Sequence, residues 1–192
     1  MSKKKKNCHG KGSAFERRVC NNLSLWVSDY TRKDIFWRAA MSGGRATVSM
    51  KHGVALASQA GDISAVDKLG HFLIDLFVIE CKHYKDLGWL ACFYGSNKSG
   101  IAQFWIKLCV ESNEIGKLPM LIGKQNNKPD LVLLDIVGAG ICINDKVKPL
   151  FIIPRFGMQG YLLRDLLLLP FEEIRKRNAG KKIRRRLYSD YG

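Results

Sequence analysis

A chain of 192 residues with 46% hydrophobic and 26% charged side chains has the material for one well-packed domain and does not have the composition of a disordered polymer. Lys and Arg outnumber Asp and Glu by 32 to 17, and the resulting net charge of +15 favours a polyanionic partner through counterion release, with nucleic acid ahead of an anionic membrane. No apolar run approaches the roughly 18 residues of a membrane span, and Lys3 to Lys6 lead into polar residues, so neither a transmembrane segment nor a signal peptide is expected.

The first twelve residues, MSKKKKNCHGKG, read as a flexible basic arm ahead of a single domain over 13–180. Ser13 stands as an N-cap three residues before Glu16, and Phe15, Val19, Leu23 and Trp26 then recur at helical spacing, which predicts a helix over 13–27. Ile35 to Ala39 is a short strand. Ser42, Gly43, Gly44 and Arg45 open a long small-and-polar loop that runs to Gly61. Strands are expected over Ile63 to Val66 and Leu73 to Cys81, joined around Lys68, Leu69 and Gly70 as a β-hairpin. A polar stretch from Tyr94 to Gly100 precedes a helix over Ile101 to Asn113, and a strand follows over Leu118 to Gly123. Further strands are expected over Leu131 to Ile136, Leu150 to Ile153 and Leu166 to Leu169, with a helix over Phe171 to Arg177 beginning at Pro170. Residues 181–192 form a second basic segment. This order describes an α/β protein with a central mixed β-sheet flanked by helices.

Six cysteines, Cys8, Cys20, Cys81, Cys92, Cys109 and Cys142, show no CxxC pair and no paired histidine spacing, which argues against zinc. Most lie among apolar neighbours, as free thiols do in a reducing cytoplasm.

The chemistry concentrates in GDISAVDKLGHFLIDLFVIECK, Gly61 to Lys82. On a strand, Val78, Glu80 and Lys82 share one face while Phe77, Ile79 and Cys81 share the other. A carboxylate and an ammonium at the end of an apolar strand are costly unless paired or bound, and a metal with a phosphate would satisfy both. The plain alternative is an exposed ion pair at a sheet edge. Hard Mg²⁺ held by one or two carboxylates supplies what phosphodiester hydrolysis needs, and Asp62, at the start of the hairpin's first strand, is the natural second carboxylate. Asp67 is explained by turn chemistry, and Asp75 stands too far from the end of its strand. Lys82 is then placed to orient the attacking water or to neutralise charge on the phosphate.

Together KGSAFER (Lys11 to Arg17), SGGR (Ser42 to Arg45), GDI (Gly61 to Ile63), IECK (Ile79 to Lys82) and a following helix with Gln103 resemble the PD-(D/E)xK nucleases. Within them the pattern is most similar to archaeal Holliday junction resolvases and phage-encoded resolvase-like endonucleases, over about residues 11–125. The resemblance implies a restriction-endonuclease-like core, Mg²⁺ or Mn²⁺ as cofactor, a homodimer, and the cytoplasm of a prokaryotic or phage-infected cell. It assigns Glu16, Asp62, Glu80, Lys82 and Gln103 to catalysis, with Asp62 and Glu80 on the metal. It also points to nucleic-acid contacts by Lys11, Arg38, Ser42, Arg45, Lys51 and Lys107. Glu16 has a second reading as the end of a capping box, and Gln103 and Lys107 as solvent-facing residues. Gly61 departs from the proline of the motif name.

Three functions fit these residues: a structure-selective endonuclease on branched DNA such as Holliday junctions, a sequence-specific or nonspecific DNA nuclease of restriction or phage type, and a non-catalytic DNA-binding protein. The first is the leading expectation.

Overall fold

The computed structural model describes residues 8–39 and 60–179. The first helix, α1 (Cys8–Val27), buries Phe15, Val19, Leu23 and Trp26 along one stripe, as their spacing predicts. It begins at Cys8, so Ser13 lies inside the helix and not at its cap, and residues 8–12 belong to the helix and not to a basic arm. The Ser24 hydroxyl on its buried side accepts the backbone N–H groups of Ile35 at 3.1 Å and Phe36 at 2.9 Å. Those bonds fix the chain as it enters β1 (Phe36–Arg38).

A two-stranded antiparallel ribbon follows from β1 pairing with β2 (Ile63–Ala65), with Arg38 opposite Ile63. This overturns the expected hairpin. Past β2 the chain makes a short 3₁₀ turn over Lys68–Gly70 and then a helix, α2 (His71–Leu76), where the apolar run was read as strand. Asp75, expected on that strand, is exposed on α2. Strand β3 (Phe77–Tyr84) pairs in parallel with β4 (Leu118–Gln125), reached through α3 (Trp89–Phe93) and α4 (Gly100–Glu114). Ser99 caps α4 by accepting the Ala102 N–H at 3.3 Å.

Beyond β4 the chain builds β5 (Leu131–Leu134), α5 (Ile136–Cys142), β6 (Phe151–Ile153), β7 (Met158–Leu162), α6 (Leu163–Leu167) and α7 (Phe171–Asn178). The sheet order is β3-β4-β5-β7-β6, parallel at the first pair and antiparallel elsewhere. Three expectations change here. Ile136 starts a helix, because buried Asp135 caps it by accepting the Gly138 N–H at 2.6 Å. Strand β7 lies in a segment expected to have no element, and the run expected as strand over Leu166–Leu169 falls in and after a helix.

Helices cover both faces of this mixed five-stranded sheet. On one side Phe77, Ile79 and Cys81 join the residues of α1, α2, α5, α6 and α7 in the larger core. On the other, Val78, Leu121 and Leu133 pack against Ile101, Trp105 and Leu108 of α4. Trp105 also donates its indole N–H to the Phe156 carbonyl at 2.8 Å. No helix among the described residues is long and apolar enough to cross a membrane.

Candidate active site

Strand β3 is the outer strand of the five-stranded sheet, so among the described residues one of its edges has no strand partner. Asp62 closes that edge. Its backbone N–H donates to the Ile79 carbonyl at 2.8 Å, and its Oδ2 accepts the Cys81 N–H at 2.9 Å, so backbone and side chain together substitute for the next strand. One residue earlier the chain runs very close to β3. Gly61 has φ +86°, and a Cβ on it would stand 2.6 Å from the Ile79 carbonyl oxygen. Glycine, not proline, lets Asp62 approach here.

The two faces of β3 then separate as the alternation requires. Glu80 and Lys82, both half-buried, emerge at the end of the face begun by Val78 and form an ion pair with each other. Lys82 Nζ also lies 5.4 Å from the centre of the Phe104 ring, which stacks on Tyr84 at 5.3 Å. Phe104 is missing from the expected site. No spacing in the sequence announces it, because the contact joins two elements on the basis of packing alone; its only signal is its place beside Gln103.

Electrostatics tie the acids together. Burial first, and then the negative charge of Glu80, push the Asp62 carboxyl up to about 7, against the opposing pull of the Cys81 N–H and the Lys82 charge. Burial alone would lower the Lys82 ammonium. The charge of Glu80 and its hydrogen bond outweigh that and hold it above its ordinary value, so it stays charged. The thiols nearby are raised as well, Cys20 to about 12 by burial and by Glu16, and Cys81 well above its usual range by burial and by Asp62. Neither is a thiolate at neutral pH, so these cysteines are packing residues and not nucleophiles.

Glu16 of α1 forms an ion pair with Arg38 of β1 and contributes to the negative field at Asp62. Its capping-box reading lapses with the earlier helix start. Of the remaining expected residues, Lys11 is exposed on α1. Gln103 and Lys107 are exposed one turn apart on α4, where Lys107 faces Glu111 at 3.4 Å. Among the described residues no hydrogen bond or ion pair joins either of them to Asp62, Glu80 or Lys82. Ser42, Arg45 and Lys51 lie outside the described residues. The competing Asp67 caps the 3₁₀ turn through Leu69 N–H at 2.9 Å and pairs with Arg32 at 2.7 Å, which holds it below its ordinary range.

Among the described residues no three His, Cys, Asp or Glu side chains form one metal-binding group. Mg²⁺ does not demand one, since it commonly takes one or two carboxylates and fills its remaining positions with water and phosphate. A buried aspartate that desolvation, and then the negative charge of Glu80, lift toward neutrality fits a hard dication, whose charge would offset both.

A mixed sheet flanked by helices, with an aspartate held against the free edge of a strand that carries E-x-K, is the arrangement of the PD-(D/E)xK class. Comparison with family models matches residues 7–157 to the phage putative PDDEXK endonuclease family, and the chain belongs to that family. The match reaches beyond residue 125, where the resemblance legible in the sequence ends, and takes in β5, α5 and β6. Neither the curated proteins nor the solved structures contain a match to this chain.

Proposed function

We propose that this endonuclease hydrolyses DNA phosphodiester bonds with a divalent metal held by Asp62 and Glu80, and that branched duplexes such as four-way junctions are its preferred substrates. The observation that carries the first part is the juxtaposition of a buried, charge-strained aspartate with the Glu80–Lys82 pair on one strand edge. Mg²⁺, or Mn²⁺ in its place, would neutralise phosphoryl charge and stabilise the attacking and leaving oxygens. Lys82 keeps its charge beside Glu80 and offers an ammonium to the attacking water or to a phosphate oxygen. Phe104 and Glu80 between them limit where that ammonium can go. Glu16, through Arg38, places one further carboxylate and one guanidinium beside the site, the latter suited to a phosphate. The net charge of +15 supports a DNA partner, with Lys11, Ser42, Arg45, Lys51 and Lys107 as further contacts.

The preference for branched DNA rests on the likeness of the motif set to junction resolvases. That likeness also suggests a homodimer, which would present two sites for the two symmetric nicks a junction requires. Phage family membership and the buried free cysteines support the reducing cytoplasm of an infected cell as its setting.

Purified protein incubated with supercoiled plasmid, linear duplex and a synthetic four-way junction, each in Mg²⁺ or EDTA, tests both parts. Cleavage in Mg²⁺ but not EDTA, fastest on the junction, is expected. Equal rates on linear duplex would remove the branch preference and keep the nuclease. Absence of cleavage on all three substrates would leave only DNA binding.

A further inference from the structure

The sheet face that carries Glu80 and Lys82 continues beyond β3. Paired residues point the same way, so Lys82 shares its face with Gly123 of β4, Gly123 with Leu131 of β5, and Tyr84 with Gln125. Adjacent strands lie ~4.8 Å apart, which puts Gly123 one strand spacing from Lys82. Above Gly123 is a cavity of about 460 Å³, bounded also by Trp89, Gln125, Leu131 and Leu150. That volume is within the range of small-molecule pockets, about 300–1,000 Å³.

Its floor is open because residue 123 has no side chain. A Cβ there would meet Leu87, Trp89 and Ile101 at 3.5–4.0 Å, ordinary contact, and a longer side chain would extend into the cavity. Its aromatic wall is held in place. Trp89 stacks on Phe93 with ring centres 6.4 Å apart and meets Phe151 edge-on at 5.6 Å, while Phe151 lies so near Gly160 that a Cβ on the glycine would be 2.1 Å from the ring. Polar groups also line the cavity. Gln125 spends its side-chain oxygen on the Leu87 N–H at 3.1 Å and keeps its NH₂ as a donor. Asp86 accepts the Gly88 N–H at 2.9 Å through Oδ1 and keeps Oδ2 as an acceptor, and Lys128 adds a cation.

A fixed aromatic surface, a donor and an acceptor in a small apolar hollow are the features that hold a nucleobase taken out of its stack. Building on the nuclease reading, we propose that this cavity receives one unstacked base of the DNA, set against Trp89 with its polar edge toward Gln125 and Asp86, while a phosphate of the same or the adjacent nucleotide lies over Glu80 and Lys82. A second copy of the chain is a poorer occupant of this cavity, since the polar groups of Gln125, Asp86 and Lys128 would go unmatched against an apolar protein surface.

The test measures binding in EDTA to three otherwise identical duplexes: fully paired, carrying one extrahelical thymidine, and carrying an abasic site in place of that thymidine. Wild-type protein is expected to bind the extrahelical base about tenfold more tightly than the paired duplex, the equivalent of ~1.4 kcal/mol of stacking, and to lose that gain on the abasic duplex. Trp89→Ala and Gly123→Leu should each erase the preference without changing affinity for paired DNA, and Trp89→Phe should keep part of it. Circular dichroism identifies a variant that fails to fold, in which case the other decides. Equal wild-type binding to all three duplexes overturns the proposal, as does full preference in the folded variants. If the substitutions instead shift the sedimentation mass of the free protein and leave the preference intact, the cavity is a self-association surface and the proposal fails. Mg²⁺-dependent cleavage of a synthetic four-way junction, scored in parallel, separates the two readings: a protein that cuts the junction but shows no base preference loses only the cavity.

Discussion

Replacing Asp62 by asparagine keeps the shape of the side chain and the acceptor for the Cys81 N–H, but removes the charge that burial and Glu80 oppose. In the folded protein burial, and then the charge of Glu80, push this carboxyl up from 3.8 to about 7, so between those values the folded state binds more protons than the unfolded state. Stability of the metal-free protein therefore falls as pH rises from about 4 to about 7 and levels off above that. Raising the carboxyl from 3.8 to about 7 makes the ionised form cost on the order of 4 kcal/mol at pH 8. The asparagine NH₂ must in turn be desolvated, at roughly 1–3 kcal/mol if it finds no acceptor. Asp62→Asn is thus expected to be about 2 kcal/mol more stable than wild type at pH 8 in EDTA, to become less stable than wild type by roughly 1–3 kcal/mol below pH 4, where only the amide cost remains, and to have no cleavage activity. Urea unfolding across this pH range measures the first two. Saturating Mg²⁺ should narrow the gap at pH 8 by stabilising only the wild type. A variant less stable than wild type by the same amount at pH 4 and pH 8 would refute the charge argument, and retained cleavage would remove Asp62 from the site.

Lys82→Met keeps the apolar stem and deletes the ammonium, so single-turnover cleavage should fall about 10²-fold or more while DNA affinity in EDTA stays nearly constant; full activity would end the assignment of this residue. Lys82→Arg should be comparably slow, because a planar fork does not replace a compact charge beside Glu80. Gly61→Ala forces a Cβ toward the Ile79 carbonyl at positive φ and should cost about 2 kcal/mol or more in urea unfolding; a loss under about 0.5 kcal/mol would show that the approach of Asp62 to β3 does not depend on glycine. Deleting residues 1–7, or ending the chain after Gly180, removes clustered Lys and Arg and should weaken binding to all DNA alike and flatten the plot of log affinity against log salt; an unchanged slope would exclude these segments from phosphate contact.

The amino-acid sequence alone determined what depends on local periodicity. Spacings of three and four placed Phe15, Val19, Leu23 and Trp26 on one buried stripe, and the two-residue period of β3 sent Ile79 and Cys81 inward and left Glu80 and Lys82 together. Which strands meet was decided by tertiary structure. Asp62 was expected beside Glu80 through a hairpin; it lies there because a separate ribbon, β1 with β2, rests on the free edge of β3. Alternation marks the face of a strand but not its partner, and pairing across long loops is set by what else must be buried. The apolar run at His71–Leu76 and the run over Leu166–Leu169 were misassigned for a related reason, since a short apolar segment fits a helix or a strand until its neighbours are in place. Strand β7 went unseen because Gly160 weakens its pattern, and that glycine makes sense only with Phe151 folded against it. The pairing of Glu16 with Arg38, the packing of Phe104 on Lys82 and the strained charge of Asp62 arise only when distant segments exclude water together. Burial and the approach of unlike elements set those energies, and neither is a property of residues taken in order along the chain.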